Sequence, residues 1–146
     1  MMPFLQGDLV EEYKEVGHNI RLFSNMRFAQ LTLFLALTAG LLTVTFGLNP
    51  PLEGLYQLIL KLFGLFVTYF FWIMEERSSY FWKYYMDRAQ FLEIQLGYFQ
   101  YIGRNPKVIY EDKIPKLKFN ATNAVRALFF VIELFWIFTL YMQVLS

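Results

Sequence analysis

The chain has 146 residues, of which 57% are hydrophobic and 17% charged, with a formal net charge of +1. A soluble domain of this size cannot bury 17 Phe, 10 Tyr and 3 Trp, and so much apolar character also excludes intrinsic disorder. The charge balance gives no global field for nucleic acid, and the absence of cysteine removes disulfide frameworks, thiolate zinc clusters and thiol catalysis. What remains is a small integral membrane protein of one domain.

The first predicted element starts at Asp8, placed as an N-cap, with Glu11 three residues on as in a capping box. Leu9, Tyr13, Val16, Ile20 and Phe23 follow a 4-3-4-3 spacing, the seam of a heptad, with Gly17 as its weak spot. The seam leads into an uncharged run over 28–48, FAQLTLFLALTAGLLTVTFGL, long enough to cross a hydrocarbon core of about 30 Å. The run is too long for the apolar region of a signal peptide, and what precedes it is too long and too acidic. Residues 8–48 thus read as one helix, roughly 60 Å long to Phe46 at the usual rise per residue. Within the run Ala36, Gly40, Thr43 and Gly47 form a stripe of small residues, expected to pack closely against the next helix at Gly64 and Thr68 or, alternatively, against another subunit.

Pro50-Pro51 breaks the chain in a tight turn. A second helix is expected over 55–102, spanning the membrane to about Met74 and continuing beyond it. Ser78, Trp82, Tyr85, Ala89, Leu92, Leu96 and Phe99 repeat the 4-3-4-3 seam, and Gly103 with Asn105-Pro106 supplies the stop. A short turn makes the two helices antiparallel neighbours, so residue i of the first faces about residue 104 − i of the second. That register brings Glu15 near Arg88, Lys14 near Glu93 and Arg27 near Glu76. The seams read as the packing core of the hairpin; the alternative is that part of the aromatic set Tyr80, Phe81, Trp82, Tyr84 and Tyr85 packs against other subunits.

Residues 103–122 form a basic loop in which Lys113, Lys116 and Lys118 alternate with Ile114, Leu117 and Phe119, a pattern suited to lipid headgroups. The third membrane helix covers 123–146 and carries Arg126 and Glu133. Lys and Arg gather before the first span and between the second and third, and are absent from the Pro-Pro turn and the tail. By the positive-inside rule the N-terminus is cytoplasmic and the C-terminus external, in a multi-pass protein of the cell membrane. The fold class is therefore an all-α membrane protein with three transmembrane helices, the first two prolonged as a cytoplasmic antiparallel hairpin.

Two charges within the spans are the candidate functional residues, because ionisable groups in bilayers are rare and face protein or water. Lys61 is expected to snorkel outward or to reach Glu133. Glu133 must be neutral, paired or wetted, and in a ring of subunits it would repeat as a belt of carboxyls, holding helices together or lining a cation pore. Enzymatic signals are missing: the single His18 has no ligand partner near it, and no nucleophile elbow, phosphate loop or dinucleotide loop occurs. Glu75-Glu76 sits among Arg77 and Arg27, where ion pairing is the expected use. Neither a cofactor nor a metal is expected, and the partners are other copies of the chain and membrane lipid.

The stretches EYKEVGHNIRLFSNMRFAQLTLFLALTAGLL and IMEERSSYFWKYYMDRAQFLEIQLGYFQY together resemble the RipA family of octameric prokaryotic inner-membrane proteins. More loosely, the chain is similar to the two-helix SLATT effectors, whose proposed role is pore formation in nucleotide-triggered antiviral defence. The resemblance spans about residues 11–102 and rests on a charged helix, a membrane hairpin and a long aromatic helix. It implies a cyclic homo-oligomer, scaffold or pore-like, without catalytic activity. The third membrane helix departs from the two-helix effectors, and an accessory subunit or a small-solute transporter is the alternative.

Overall fold

The structure is a computed structural model that describes residues 6–47, 54–102 and 121–145. Three helices account for nearly all of them: α1 (Gln6–Phe46), α2 (Leu55–Leu96) and α3 (Ala121–Leu145). No strand occurs among the described residues. Each helix is long and apolar enough to cross a membrane. Helix α1 begins before Asp8, so this carboxylate lies in the first turn, where it complements the helix dipole instead of capping it. Glu11 pairs with Lys14 at 2.7 Å, one turn on, so the expected capping box does not form.

The described residues fall into two compact units. One, here the seam unit, combines residues 6–27 with 77–102. The other, the span unit, combines 28–47, 54–76 and 121–145.

In the seam unit the heptad spacing becomes a core. Val16, Ile20, Ala89, Leu92 and Tyr101 are buried, with Leu9, Tyr13, Trp82, Tyr85 and Met86 packed against them. Each large aliphatic side chain so buried contributes about 1.5–3 kcal/mol. The helices run antiparallel: Phe23 stacks on Phe81 and on Tyr85 at 5.6 Å each, while Tyr13 meets Glu93 ten residues earlier on α1. The expected register holds to within a turn, but its ion pairs differ. Arg88 takes Glu12 at 2.6 Å in place of Glu15, since Glu12 flanks the seam residues Leu9 and Val16 whereas Glu15 is turned to solvent.

Helix α2 also stops earlier than the sequence suggests. It ends at Leu96, and Gly97 adopts φ +72°. The Tyr98 N–H donates to the Glu93 carbonyl at 3.0 Å, which is the six-to-one bond of a Schellman stop. A left-handed residue at 97 is cheap only for glycine, and Phe99, the last predicted seam residue, is consequently exposed.

In the span unit Phe34, Val67, Phe71 and Phe129 form the core, with Phe34 and Phe129 rings 4.6 Å apart. Lipid is as apolar as these side chains, so shape decides the packing here more than burial does. Gly64 is the clearest case. A Cβ there would lie 2.4 Å from the Trp136 indole, so the missing side chain is what admits the fully buried Trp136. The small stripe on α1 does not serve this purpose: Ala36, Gly40, Thr43 and Gly47 are exposed, and nothing lies within 4 Å of a Cβ placed at Gly40. The expected packing of the stripe against Gly64 and Thr68 is thus corrected, because the indole of α3 occupies that place.

Gly64→Ala is expected to destabilise the protein by about 1–3 kcal/mol through overpacking, with most of the loss recovered when Trp136→Leu is added. Gly40→Ala, which meets open space, should leave the thermal unfolding midpoint in detergent unchanged. Equal midpoints for Gly64→Ala and wild type would contradict this packing.

Candidate functional site

The polar groups of the span unit are few and mostly placed against carbonyls. Lys61, only 5% exposed, donates to the Thr139 carbonyl at 3.2 Å, with its ammonium 5.8 Å from the centre of the Phe46 ring. It therefore neither snorkels outward nor meets Glu133, which lies six residues, about 9 Å, before Thr139 along α3. A helix carbonyl keeps a second lone pair after its helical bond, and that lone pair receives the ammonium. Thr68 donates back to the Gly64 carbonyl at 2.8 Å.

Glu133 is half-buried, and its Oε2 is shielded without a hydrogen-bond partner among the described residues. The same holds for Trp136 Nε1, one turn on, and for Thr45 Oγ1 of α1. Glu133 lies on the same side of α3 as Phe129, Ile132 and Trp136, which pack inward, whereas Phe130, Val131, Leu134, Ile137 and Phe138 point out. At the other end of α3, Arg126 grips Glu76 in a two-pronged pair, Nε to Oε1 at 2.5 Å and Nη2 to Oε2 at 2.6 Å. The expected ion pairing of Glu76 is thus found, but with Arg126 of the third helix in place of the expected Arg77 and Arg27.

The seam unit holds a second polar centre, built on Glu93. This side chain is fully buried. Its carboxylate accepts the Tyr101 N–H at 2.8 and 3.0 Å, the Ile102 N–H at 2.8 Å and the Tyr13 hydroxyl at 2.7 Å. Burial pushes the carboxyl up, but the backbone N–H groups of Ile102, Tyr101 and Gln100 and the Tyr13 hydroxyl outweigh it, and the net titration lies below the usual glutamate value. The Tyr13 hydroxyl is pushed up in turn, by burial and by its bond to Glu93. Lys14, expected near Glu93, is drawn to Glu11 instead.

Glu93 thereby folds the 97–102 turn back onto the helix pair and brings the Tyr101 hydroxyl to 3.3 Å from where a Cβ of Gly17 would be. Gly17 is the point of closest approach, not merely a weak spot. Beside it opens a cleft of about 400 Å³ between α1, α2 and the turn, lined by Arg21, Ser24, Asn25, Trp82, Gln100 and Tyr101 among others. Trp82 Nε1 donates to Ser24 Oγ at 3.0 Å, and that hydroxyl donates to the Ile20 carbonyl at 2.8 Å, fixing the indole as one wall.

Among the described residues no group of three or more His, Asp or Glu side chains is placed to hold a metal ion. Lys113, Lys116 and Lys118, the expected headgroup contacts, lie outside the described residues. The Glu93 centre and its cleft escaped sequence reasoning. Their signal was a glutamate four residues before a glycine on a helix seam, which reads equally well as a surface charge.

Because Glu93 titrates low in the folded state, its bonds contribute stability above the ordinary glutamate range, about pH 4.3, and this is lost as the pH falls toward the depressed folded value. The thermal midpoint of the wild type is therefore expected to drop on acidification from about pH 6 to about pH 3.5. Glu93→Gln should be less stable at neutral pH by about 1.5–3 kcal/mol, since it loses charged acceptors, and should show a shallower acid slope. Parallel slopes would contradict the role given to Glu93.

Comparison of the chain with protein-family profiles, curated proteins and solved structures finds no match.

Proposed function

We propose that the protein is a homo-oligomeric, multi-pass membrane scaffold without catalytic activity, its N-terminus in the cytoplasm and its C-terminus outside. The observation that carries this reading is an uncovered apolar stripe on α2 in the seam unit. Tyr80, Tyr84, Phe91 and Ile94 share one face of the helix and are exposed, Ile94 by 74%, with Asp87 as the one charge between them. Phe91 and Ile94 lie about 22 and 27 Å along the helix past Glu76, beyond the apolar segment, so lipid does not cover them if the span ends near Glu76. Exposed apolar surface of this kind marks an interaction site. A second copy fits it, because a net charge of +1 sets up no long-range repulsion between copies.

Of the aromatics expected to face other subunits, Tyr80 and Tyr84 supply this stripe, while Phe81, Trp82 and Tyr85 pack against α1. The outward small stripe of α1 gives a second close-approach face within the span. The resemblance to the RipA family would make the product a closed ring, of eight subunits in that family. A scaffold is favoured over a pore because Glu133 lies on the inward side of α3 and the outward side is apolar, offering no polar path.

Native mass spectrometry of the full chain in detergent is expected to give multiples of the single-chain mass, reduced to single chains by Phe91→Glu or Ile94→Glu. Glu133→Gln should leave assembly intact. A wild-type protein found only as single chains would favour an accessory subunit of another complex. Cation currents in planar bilayers that vanish in Glu133→Gln would establish a pore instead.

A further inference from the structure

The cleft beside Gly17 has the make-up of a binding site, with one wall formed by residues of the seam core. Its floor is the buried side of the seam, and its rim carries donors from separate elements. Arg21 and Asn25 stand one turn apart on α1, and Gln100 stands on the turn. Among the described residues Arg21 has no ion-pair partner, and no carboxylate lines the cleft. The single Tyr13 hydroxyl proton goes to Glu93 at 2.7 Å, and the Gln100 amide lies 3.3 Å from the same hydroxyl, which leaves at least one of its two amide N–H bonds to point elsewhere. Arg21 Nη1 and the Tyr101 hydroxyl both lie within 4.0 Å of the same point above Gly17. A side chain larger than glycine would press on the Tyr101 hydroxyl, part of the cleft wall.

We propose that this cleft binds a phosphate ester, with the oxyanion on Arg21, Asn25 and Gln100 and the carbon part against Trp82. A guanidinium and an amide one turn apart on α1, with a second amide from the 97–102 turn, offer several donors to an oxyanion with several acceptor oxygens. The Trp82 indole, held by Ser24, and the neighbouring Met86 give the apolar wall that the organic part of an ester needs. The volume, about 400 Å³, accommodates a headgroup-sized molecule and not merely an ion. Asn25 and Arg21 precede Phe28, the first residue of the uncharged run, by about 5 and 10 Å along the helix. That is the depth of a phospholipid headgroup, so the ester is supplied by lipid or by a soluble phosphate at the membrane surface. The proposal does not depend on the number of subunits.

The test uses the full chain in nanodiscs, with Trp82 emission as the readout and Trp82→Phe to identify its share. One arm titrates inorganic phosphate into phosphatidylcholine nanodiscs, and the other compares phosphatidylcholine with phosphatidylglycerol nanodiscs. A Trp82 shift in the first arm identifies a soluble phosphate, and a shift confined to the second identifies the lipid. In either arm Arg21→Gln is expected to weaken the response at least about tenfold, the usual worth of a charge-assisted bond. Lys83→Gln, which removes an equal charge outside the cleft, should change it less than about twofold, as screened surface charges do. Arg21 is exposed, so its replacement leaves the fold in place. No Trp82 response in either arm, or equal effects of Arg21→Gln and Lys83→Gln, would overturn the proposal.

Discussion

A buried polar group that cannot reach water must be satisfied from within the chain, and in a protein this apolar that requirement places nearly every informative residue. Glu93 meets it with the backbone of the 97–102 turn, and in doing so defines where α2 ends. Lys61 meets it with the second lone pair of a carbonyl on α3. Glu76 and Arg126, which are open to solvent, pair with each other and tie α2 to α3. In each case one polar contact links segments that apolar packing alone would leave free to slide. Glu133 Oε2, Trp136 Nε1 and Thr45 Oγ1 are among the shielded side-chain atoms of the span unit that the described residues leave without a hydrogen bond.

Packing in the two units follows different physics. The seam unit gains from removing Val16, Ile20 and Leu92 from water, and its heptad spacing records that gain directly. In the span unit there is little such gain, and fit takes over: a glycine on α2 opposite a tryptophan on α3, and rings of Phe34, Phe71 and Phe129 in mutual contact. Small residues left over from that fit face outward on α1. Together with the exposed aromatic stripe of α2 they are the surfaces on which the proposed assembly rests.

The three helices and the seam of α1 were legible in the sequence, because apolar periodicity and uncharged length are properties of single segments. Leu9, Tyr13, Val16, Ile20 and Phe23 all lie on the packed side as their spacing requires. What sequence alone misplaced depended on a third element or on local backbone chemistry. The small stripe on α1 pointed at α2, but Trp136 of α3 already occupied the matching face of Gly64. The stop of α2 was assigned to Gly103 and an Asn-Pro pair, whereas Gly97 acts first because Glu93 rewards the turn it permits. Lys61 found a backbone carbonyl, which no side-chain pattern announces.

The proposed assembly requires copies of the chain to meet along the outward face of α2. The protein has no cysteine, so single-cysteine variants report contacts between copies without background. Ile94→Cys in native membranes under mild oxidation is expected to yield a disulfide-linked dimer in high proportion. His18→Cys, on an exposed polar position of α1, should yield little. Crosslinking of both to the same small extent would contradict the assembly proposed for this face.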